Sequence, residues 1–273
     1  MIVVSDVGWR AERALERAPG SVHVLAALSA SVYLTIDGEI VWLGPPGSSL
    51  HPRAMLTADS LPAGDRPRLT LHAARRWRAP ALPDGPDAAA ALRAAARDLS
   101  SVAAEVGVPD GLGALLLGRV PAFPLESAVP AAMALARACA SDDAHAAGRA
   151  AAPLLGLGPG LTPAGDDFVG GAFFARAVVD RLEHRDADDW RRAADEIRRR
   201  APARTHPISA ALLGDLLDGE GHAPLHDLAG RAAGARPRDE ILDAARRLTR
   251  IGHSSGWDML TGFVAGLGAL GRT

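Results

Sequence analysis

The chain contains no lysine; all 30 of its basic residues are arginine. Without a lysine there is no Schiff-base nucleophile, no lysine-bound pyridoxal phosphate and no P-loop lysine. Several large enzyme classes are excluded at once. Cysteine is nearly absent as well. Cys139 stands alone and cannot form an internal disulfide, which points to a reducing cytoplasm. No uncharged apolar run reaches ~18 residues, so no membrane span is expected. The opening residues Met1–Arg13 lack the basic start and long apolar stretch of a signal peptide. The net charge is only −2, too small to draw nucleic acid or an acidic membrane.

Several chemical signatures are missing too. There is no H-E-x-x-H, no paired Cys-x-x-Cys, no EF-hand loop and no G-x-S-x-G elbow. With 273 residues the chain is long enough for one large domain or two small ones.

The pattern changes along the chain. Val32, Leu34 and Ile36 alternate with Tyr33 and Thr35; Asp37-Gly38 follows; Ile40 and Trp42 then alternate with Val41. Two alternating runs joined by Asp-Gly predict a hairpin. Further strands are expected at 21–28, 54–58 and 69–72. Residues 1–75 therefore read as a β-rich subdomain. Residues 73–86, with Pro80, Pro83, Pro86 and Asp84-Gly85, read as a linker whose Arg75, Arg76 and Arg78 face solvent. From 87 to 273 the pattern is helical, with helices expected near 88–104, 131–140, 144–155, 164–182, 187–200, 206–218, 237–250 and 255–270. Phe168, Ala172, Ala175, Val179 and Leu182 share one helical stripe, as do Trp257, Leu260, Val264 and Leu267. The fold class is α+β, a small β-rich N-terminal part followed by a helical one.

Two helix entries stand out. In Gly156–Asp167, Gly158 and Gly160 lead to Thr162, read as an N-cap before Pro163. Free N–H groups and the positive dipole end there can hold an anion, with Gly158, Gly160 and Gly165 letting backbone approach it. Acidic residues such as Asp166 and Asp167 also suit a first turn for purely structural reasons. Gly170 and Gly171 cost helix stability, which implies close approach of a backbone or a ligand. In Gly252–Asp258, Ser255 reads as a cap with Asp258 at the third helical position. His253, Ser254 and Gly256 are left over, and His253 can serve as a general base. A third entry, Arg204 to Ser209, offers Thr205 or His206 as cap. Asp166, Asp167, Asp258 and His253 can also form a carboxylate-rich divalent-metal site if the two segments converge.

The motifs Leu157-Gly-Pro-Gly-Leu-Thr-Pro-Ala-Gly-Asp-Asp167, Thr205 with Ser209, and Ile251-Gly-His-Ser-Ser-Gly-Trp-Asp258 resemble, in this order, those of the AllH (YlbF-type) family. Leu50-His-Pro-Arg-Ala54 after the hairpin looks like that family's opening. Ala164 stands where the family commonly has Ser. The resemblance implies a subunit of an oxamate carbamoyltransferase in allantoin (purine) breakdown. It implies partners similar to FdrA/AllF and AllG. It also implies a reaction between carbamoyl phosphate and oxamate, or oxalurate phosphorolysis in reverse. On this reading His253, Asp167 and Asp258 are catalytic. Gly158, Gly160, Thr162, Gly165, Asp166, Thr205, Ser209, Ser254, Ser255 and Gly256 bind the small anionic substrate, and no cofactor is required. A non-catalytic ligand-binding or assembly subunit and a metal-dependent hydrolase are the alternatives.

Overall fold

The computed structural model describes every residue except Pro62, Ala63, Asp65, Pro86, Arg272 and Thr273. Pro86, assigned above to a linker, therefore lies outside the described residues. The architecture is α+β, with the strands in the N-terminal part and helices after it. Two compact units are distinguished. One comprises residues 1–79 with 221–223; the other comprises 80–220 with 224–273.

In the first unit the expected hairpin forms from β4 (Val32–Ile36) and β5 (Glu39–Gly44). Asp37 and Gly38 both have positive φ, 52° and 79°, as the tight hairpin turn demands. Val32, Leu34 and Ile36 are buried, with Tyr33 and Thr35 half-buried between them. The full sheet runs β3 (Val22–Ala27), β4, β5, β6 (Ala54–Leu56), β2 (Asp6–Gly8) and β8 (Arg75–Trp77). A separate parallel pair joins β1 (Ile2–Val3) to β7 (Leu69–Thr70). Helix α1 (Trp9–Arg17) buries Ala11, Ala14 and Leu15. Its first free amides, on Arg10 and Ala11, both donate to the Pro52 carbonyl, at 2.9 and 3.1 Å. That contact fixes the loop around His51.

One expectation fails in this unit. The linker reading of 73–86 is wrong at its start, because Arg75–Trp77 pairs in parallel with β2 at the sheet edge. The arginines there are exposed as expected, the Arg75 and Arg76 side chains at 82 % and 64 %, though both also meet acids. Arg75 Nε lies 2.9 Å from Asp6 Oδ1, and Arg76 pairs with Glu12. These buried acids supply charge partners that make an Arg-rich segment compatible with a strand. The residues of β1, β2 and α1 also form elements that the alternation pattern did not disclose.

His51 and His222 pack together in this unit, ring centroids 4.7 Å apart. Each has a buried Nδ1 without a hydrogen-bond partner. Burial, the His222 charge and the Arg53 charge hold His51 well below the usual imidazole value, and burial lowers His222 to about 4. Both rings therefore fold in the neutral form, while the unfolded chain binds their protons near pH 6.5. Their contribution to stability is complete above about pH 6.5 and is lost as the pH falls toward the lowered folded values. Hydrogen exchange at β4 and β5 amides should accelerate between pH 6.5 and 4, after correction for the intrinsic rate. The His51→Leu/His222→Leu double variant should show no such acceleration.

The second unit is built around two helices, α6 (Ala164–Leu182) and α11 (Ser255–Gly266). Both expected stripes are buried, apart from half-buried Leu182. Surrounding them are α2 (Ala88–Ser101), α3 (Ala103–Val106), α4 (Val129–Ala140), α5 (Ala144–Ala151), α7 (Asp188–Arg200), α8 (Pro207–Leu217), α9 (Ala223–Ala233) and α10 (Arg238–Leu248). The sequence pattern did not disclose α9 or the 3-10 helix Gly111–Leu117. It also ran α2 and α3 together.

Glycine sets how closely α6 and α11 approach. A Cβ on Gly262 would lie 2.0 Å from the Phe168 carbonyl oxygen, one on Gly266 2.3 Å from that of Ala172, and one on Gly171 2.3 Å from that of Met259. Thr162 beside Ser255 before the helices and Gly266 against Ala172 farther along them make the pair parallel, so both N-termini lie at one end. Gly171 is thus accounted for by a neighbouring backbone, and Gly170 by the Leu216 side chain. Neither needs a ligand to explain it.

Candidate functional site

The site is the shared N-terminal end of α6 and α11. The Gly-rich loop reaches it through backbone conformations suited to glycine. Gly156 has φ 75°, and a Cβ there would lie 2.0 Å from the Arg204 carbonyl oxygen. Gly158 and Gly160 also have positive φ. Among the described residues, the N–H groups of Gly158, Gly160, Leu161 and Thr162 donate to no backbone carbonyl. This loop is half-buried to exposed.

The caps differ from expectation by one residue. Pro163, not Thr162, is the N-cap of α6, and Ser254, not Ser255, is that of α11; neither makes a side-chain cap. The hydroxyls that looked like caps meet each other instead. Thr162 Oγ1 lies 3.1 Å from Ser255 Oγ, across 93 residues of sequence. At the third entry His206 is the cap, its Nδ1 accepting from Ile208 N at 3.2 Å. Gly165 and Gly256 act as spacers: a Cβ on either would lie 2.0 Å from a carbonyl oxygen, of Leu154 and Leu248 respectively. The Gly165 amide is engaged with the Leu157 carbonyl at 2.9 Å, and the Gly256 amide with that of Ile251 at 3.0 Å.

The three acids at these entries have different surroundings. Asp166 is surrounded by donors: Gly156 N at 2.9 Å on Oδ1, and the hydroxyls of Thr205 and Ser209 (2.7 Å) on Oδ2. It fastens the loop to the start of α8, and Thr205 and Ser209 are drawn into that fastening. Asp167 is 6 % exposed and its Oδ2 has no partner. Asp258 is fully buried; its Oδ1 accepts from Leu112 N at 2.7 Å, while its Oδ2 is without a partner.

Burial drives both of these carboxyls toward the neutral form. Asp167 is pushed well above the usual carboxylate range by burial, opposed by the Ser255 hydroxyl and reinforced by the charges of Asp258 and Asp166. Asp258 is raised by burial to about 7, against the opposing bonds from Leu112 N and the Ser254 hydroxyl. An acid that titrates near neutrality is suited to give and take protons. One that stays neutral is suited to donate a hydrogen bond.

The sequence did not point to the third wall, Asp110-Gly111-Leu112. Gly111 has φ 56°, and a Cβ on it would lie 2.4 Å from Asp258 Oδ1. Only glycine lets the 3-10 helix start against that carboxylate. Pro109-Asp110-Gly111 was a readable turn, but nothing in its spacing linked it to Asp258. His253 is placed differently from the acids. Its side chain is 96 % exposed, and its Nε2 lies 3.2 Å from Asp110 Oδ2. Among the described residues no group of three or more His, Cys, Asp or Glu side chains is arranged to hold a metal ion. No helix among them is long and apolar enough to cross a membrane.

A raised carboxyl has a stability consequence. Asp258 holds its proton to about pH 7 when folded, but releases it near 3.8 when unfolded. The folded state therefore binds more protons between those values, and stability falls as the pH rises from about 4 to 7. Asp258→Asn should raise the melting temperature at pH 8, and should flatten that part of the pH profile. A lower melting temperature at pH 8 would show instead that the charged carboxylate is the stabilising form.

The fold and the site define an α+β protein in which two parallel helix entries enclose a pair of buried carboxyls beside a loop of free amides. Residues 154–267 of the 273 match the family described as oxamate carbamoyltransferase subunit AllH, and in this segment the chain is similar to that family. The match takes in the Gly-rich loop, α6, Thr205, Ser209 and the entry to α11. Comparisons with curated proteins and with solved structures return no significant match.

Proposed function

We propose that the chain is a subunit of an oxamate carbamoyltransferase-like enzyme that handles a small anionic substrate at the Asp167–Asp258 pair. The observation that carries this reading is the pair itself: two adjoining buried carboxyls, each with an unpartnered oxygen, at the point where Thr162 meets Ser255. The family description supports the reaction class.

In this reaction the oxamate nitrogen attacks the carbamoyl carbon of carbamoyl phosphate. A C–N bond forms, the C–O bond to phosphate breaks, and phosphate leaves with the electron pair. The nitrogen gives up a proton, which Asp258 in its ionised form accepts; oxalurate phosphorolysis runs the same steps backward. Asp167, kept neutral by burial, is the acid that gives a proton to the departing phosphate. The amides of Gly158, Gly160, Leu161 and Thr162 supply donors for an oxyanion without lysine. Partners similar to FdrA/AllF and AllG complete the enzyme, and His253, on the surface beside Asp110, serves contacts at the rim of the site.

The test is phosphate-dependent loss of oxalurate, measured with the purified chain alone and again with those partner subunits added. Activity should require the assembly and survive chelation. An assembled enzyme that loses its activity on chelation, and regains it with a divalent metal, would favour the carboxylates as metal ligands. An assembly with no such activity would remove this substrate assignment.

A further inference from the structure

The 3-10 helix Gly111–Leu117 stands against the entry of α11 and carries the amide that holds Asp258. Asp110 caps this helix. Its Oδ1 accepts from Gly111 N at 2.7 Å, and its carbonyl oxygen accepts from Gly113 N at 2.9 Å. Those two bonds set the turn that aims Leu112 N at Asp258 Oδ1, 2.7 Å away. The turn has little room to move. A Cβ on Gly111 would lie 2.9 Å from the Ser254 Cβ, and one on Gly113 would lie 3.1 Å from the Cβ atoms of both Pro109 and Trp257.

Asp110 has a second effect, through its charge. Among the described residues its ion-pair partner is the exposed His253, and an imidazole offsets a carboxylate only while protonated. Burial is the larger cause of the raised Asp258 value, and the Asp110 charge adds to it. Of the elements packed on α11, α6 brings Asp167, itself acted on by Asp166, and the 3-10 helix brings Asp110. Helices α2, α4 and α10 bring no charge that acts on Asp258 among the described residues. The two effects of Asp110 oppose each other. Its cap delivers a donor that favours the ionised carboxyl, and its charge favours the neutral one.

We propose that Asp110 is a positioning residue for Asp258: its cap holds the Leu112 amide on one oxygen of that carboxyl, and its negative charge acts on the same group. A carboxyl that takes a proton from nitrogen, and returns it in the reverse direction, works best when neither of its forms is strongly favoured. The catalytic meaning of Asp110 rests on the reading of Asp258 as the proton acceptor. The placement of cap and charge does not depend on any substrate.

Carbon-13 NMR titration of the full chain tests that placement, with the Asp258 carboxyl assigned by its loss in Asp258→Asn. Asp110→Asn keeps an oxygen for the Gly111 amide and removes the charge. The Asp258 midpoint should then fall by about half a pH unit, a modest shift because Asp110 is partly exposed and screened. Asp110→Ala removes charge and cap together, so its midpoint should lie above that of Asp110→Asn. His253→Ala leaves Asp110 charged and should not lower the midpoint. An unchanged or higher midpoint in Asp110→Asn, or an equal fall in His253→Ala, would overturn the proposal. Equal midpoints in Asp110→Ala and Asp110→Asn would overturn the part played by the cap. In the assembled enzyme the acid limb of the kcat/KM profile should move to lower pH in Asp110→Asn. A midpoint that moves while this limb stays would support the positioning of Asp258 and remove Asp258 as the proton acceptor.

Discussion

Asp167→Asn should cost the assembled enzyme at least about a hundredfold in turnover, the scale of a lost acid–base group, and leave the fold intact. The substitution keeps the shape of the side chain. The folded protein already holds this carboxyl neutral, so the amide adds no new burden of burial. Circular dichroism and the melting temperature should match the parent, and only phosphate-dependent loss of oxalurate should fall. Two companion variants sharpen the result. Asp166→Asn removes an acceptor bonded by Gly156, Thr205 and Ser209, so it should lower stability first. His253→Ala, at an exposed side chain, should leave turnover within about threefold, because surface changes away from buried features cost ~0.5 kcal/mol or less. If Asp167→Asn turns over normally in the assembly, the carboxyl pair is not the reacting site and the chain is a binding or assembly subunit.

Gly262→Ala should be the most damaging single methyl group in the helical unit. Its Cβ would stand 2.0 Å from the Phe168 carbonyl oxygen, and backbone cannot rotate aside as a side chain can. The two central helices would have to part by about an ångström. Overpacking of this kind costs ~1–3 kcal/mol and sometimes more; with backbone on the receiving side, the expected loss is about 3 kcal/mol. That corresponds to a fall in melting temperature of about 10 °C for a unit of this size. Gly230→Ala is the control. It also lies in a helix, but its Cβ would meet nothing within 4 Å. It should be neutral or gain ~0.5–1 kcal/mol from helix propensity. Equal melting temperatures for the two variants would show that α6 and α11 are not packed backbone to backbone.

The hairpin and the two central helices were legible because their patterns are local. Alternation around Asp37-Gly38 and the stripes through Phe168 and Trp257 need no knowledge of distant partners. The strands Ile2–Val3, Asp6–Gly8 and Arg75–Trp77 are too short to show a period. Arg75 and Arg76 are exposed as their sequence suggested, but their pairing with Asp6 and Glu12, more than sixty residues away, was not readable.

At the site, the glycines and the neighbouring acids were readable, and so was the meeting of two helix entries. The different surroundings of Asp166 and Asp167 were not. Adjacent residues on a helix point about 100° apart, so one turns toward Thr205 and Ser209 and the other toward Asp258. The Leu112 amide that holds Asp258 lies 146 residues away, beyond any spacing argument. The outward direction of His253 depends on the turn before α11, which residue types alone do not specify.

Gly221–Ala223, grouped with the strands rather than with the helices on either side of it, bears on how the protein can be dissected. The Ala223 amide donates to the Leu50 carbonyl at 2.7 Å, and the His222 ring packs on His51. The polypeptide thus visits the strand unit twice, and the interval 154–267 contains a tripeptide whose partners are encoded near the start of the gene. A fragment cut at residue 80 would retain helices α2 to α11 yet expose an orphaned imidazole and an unmet amide in its middle. The interval 154–267 is therefore not a unit that can be excised whole.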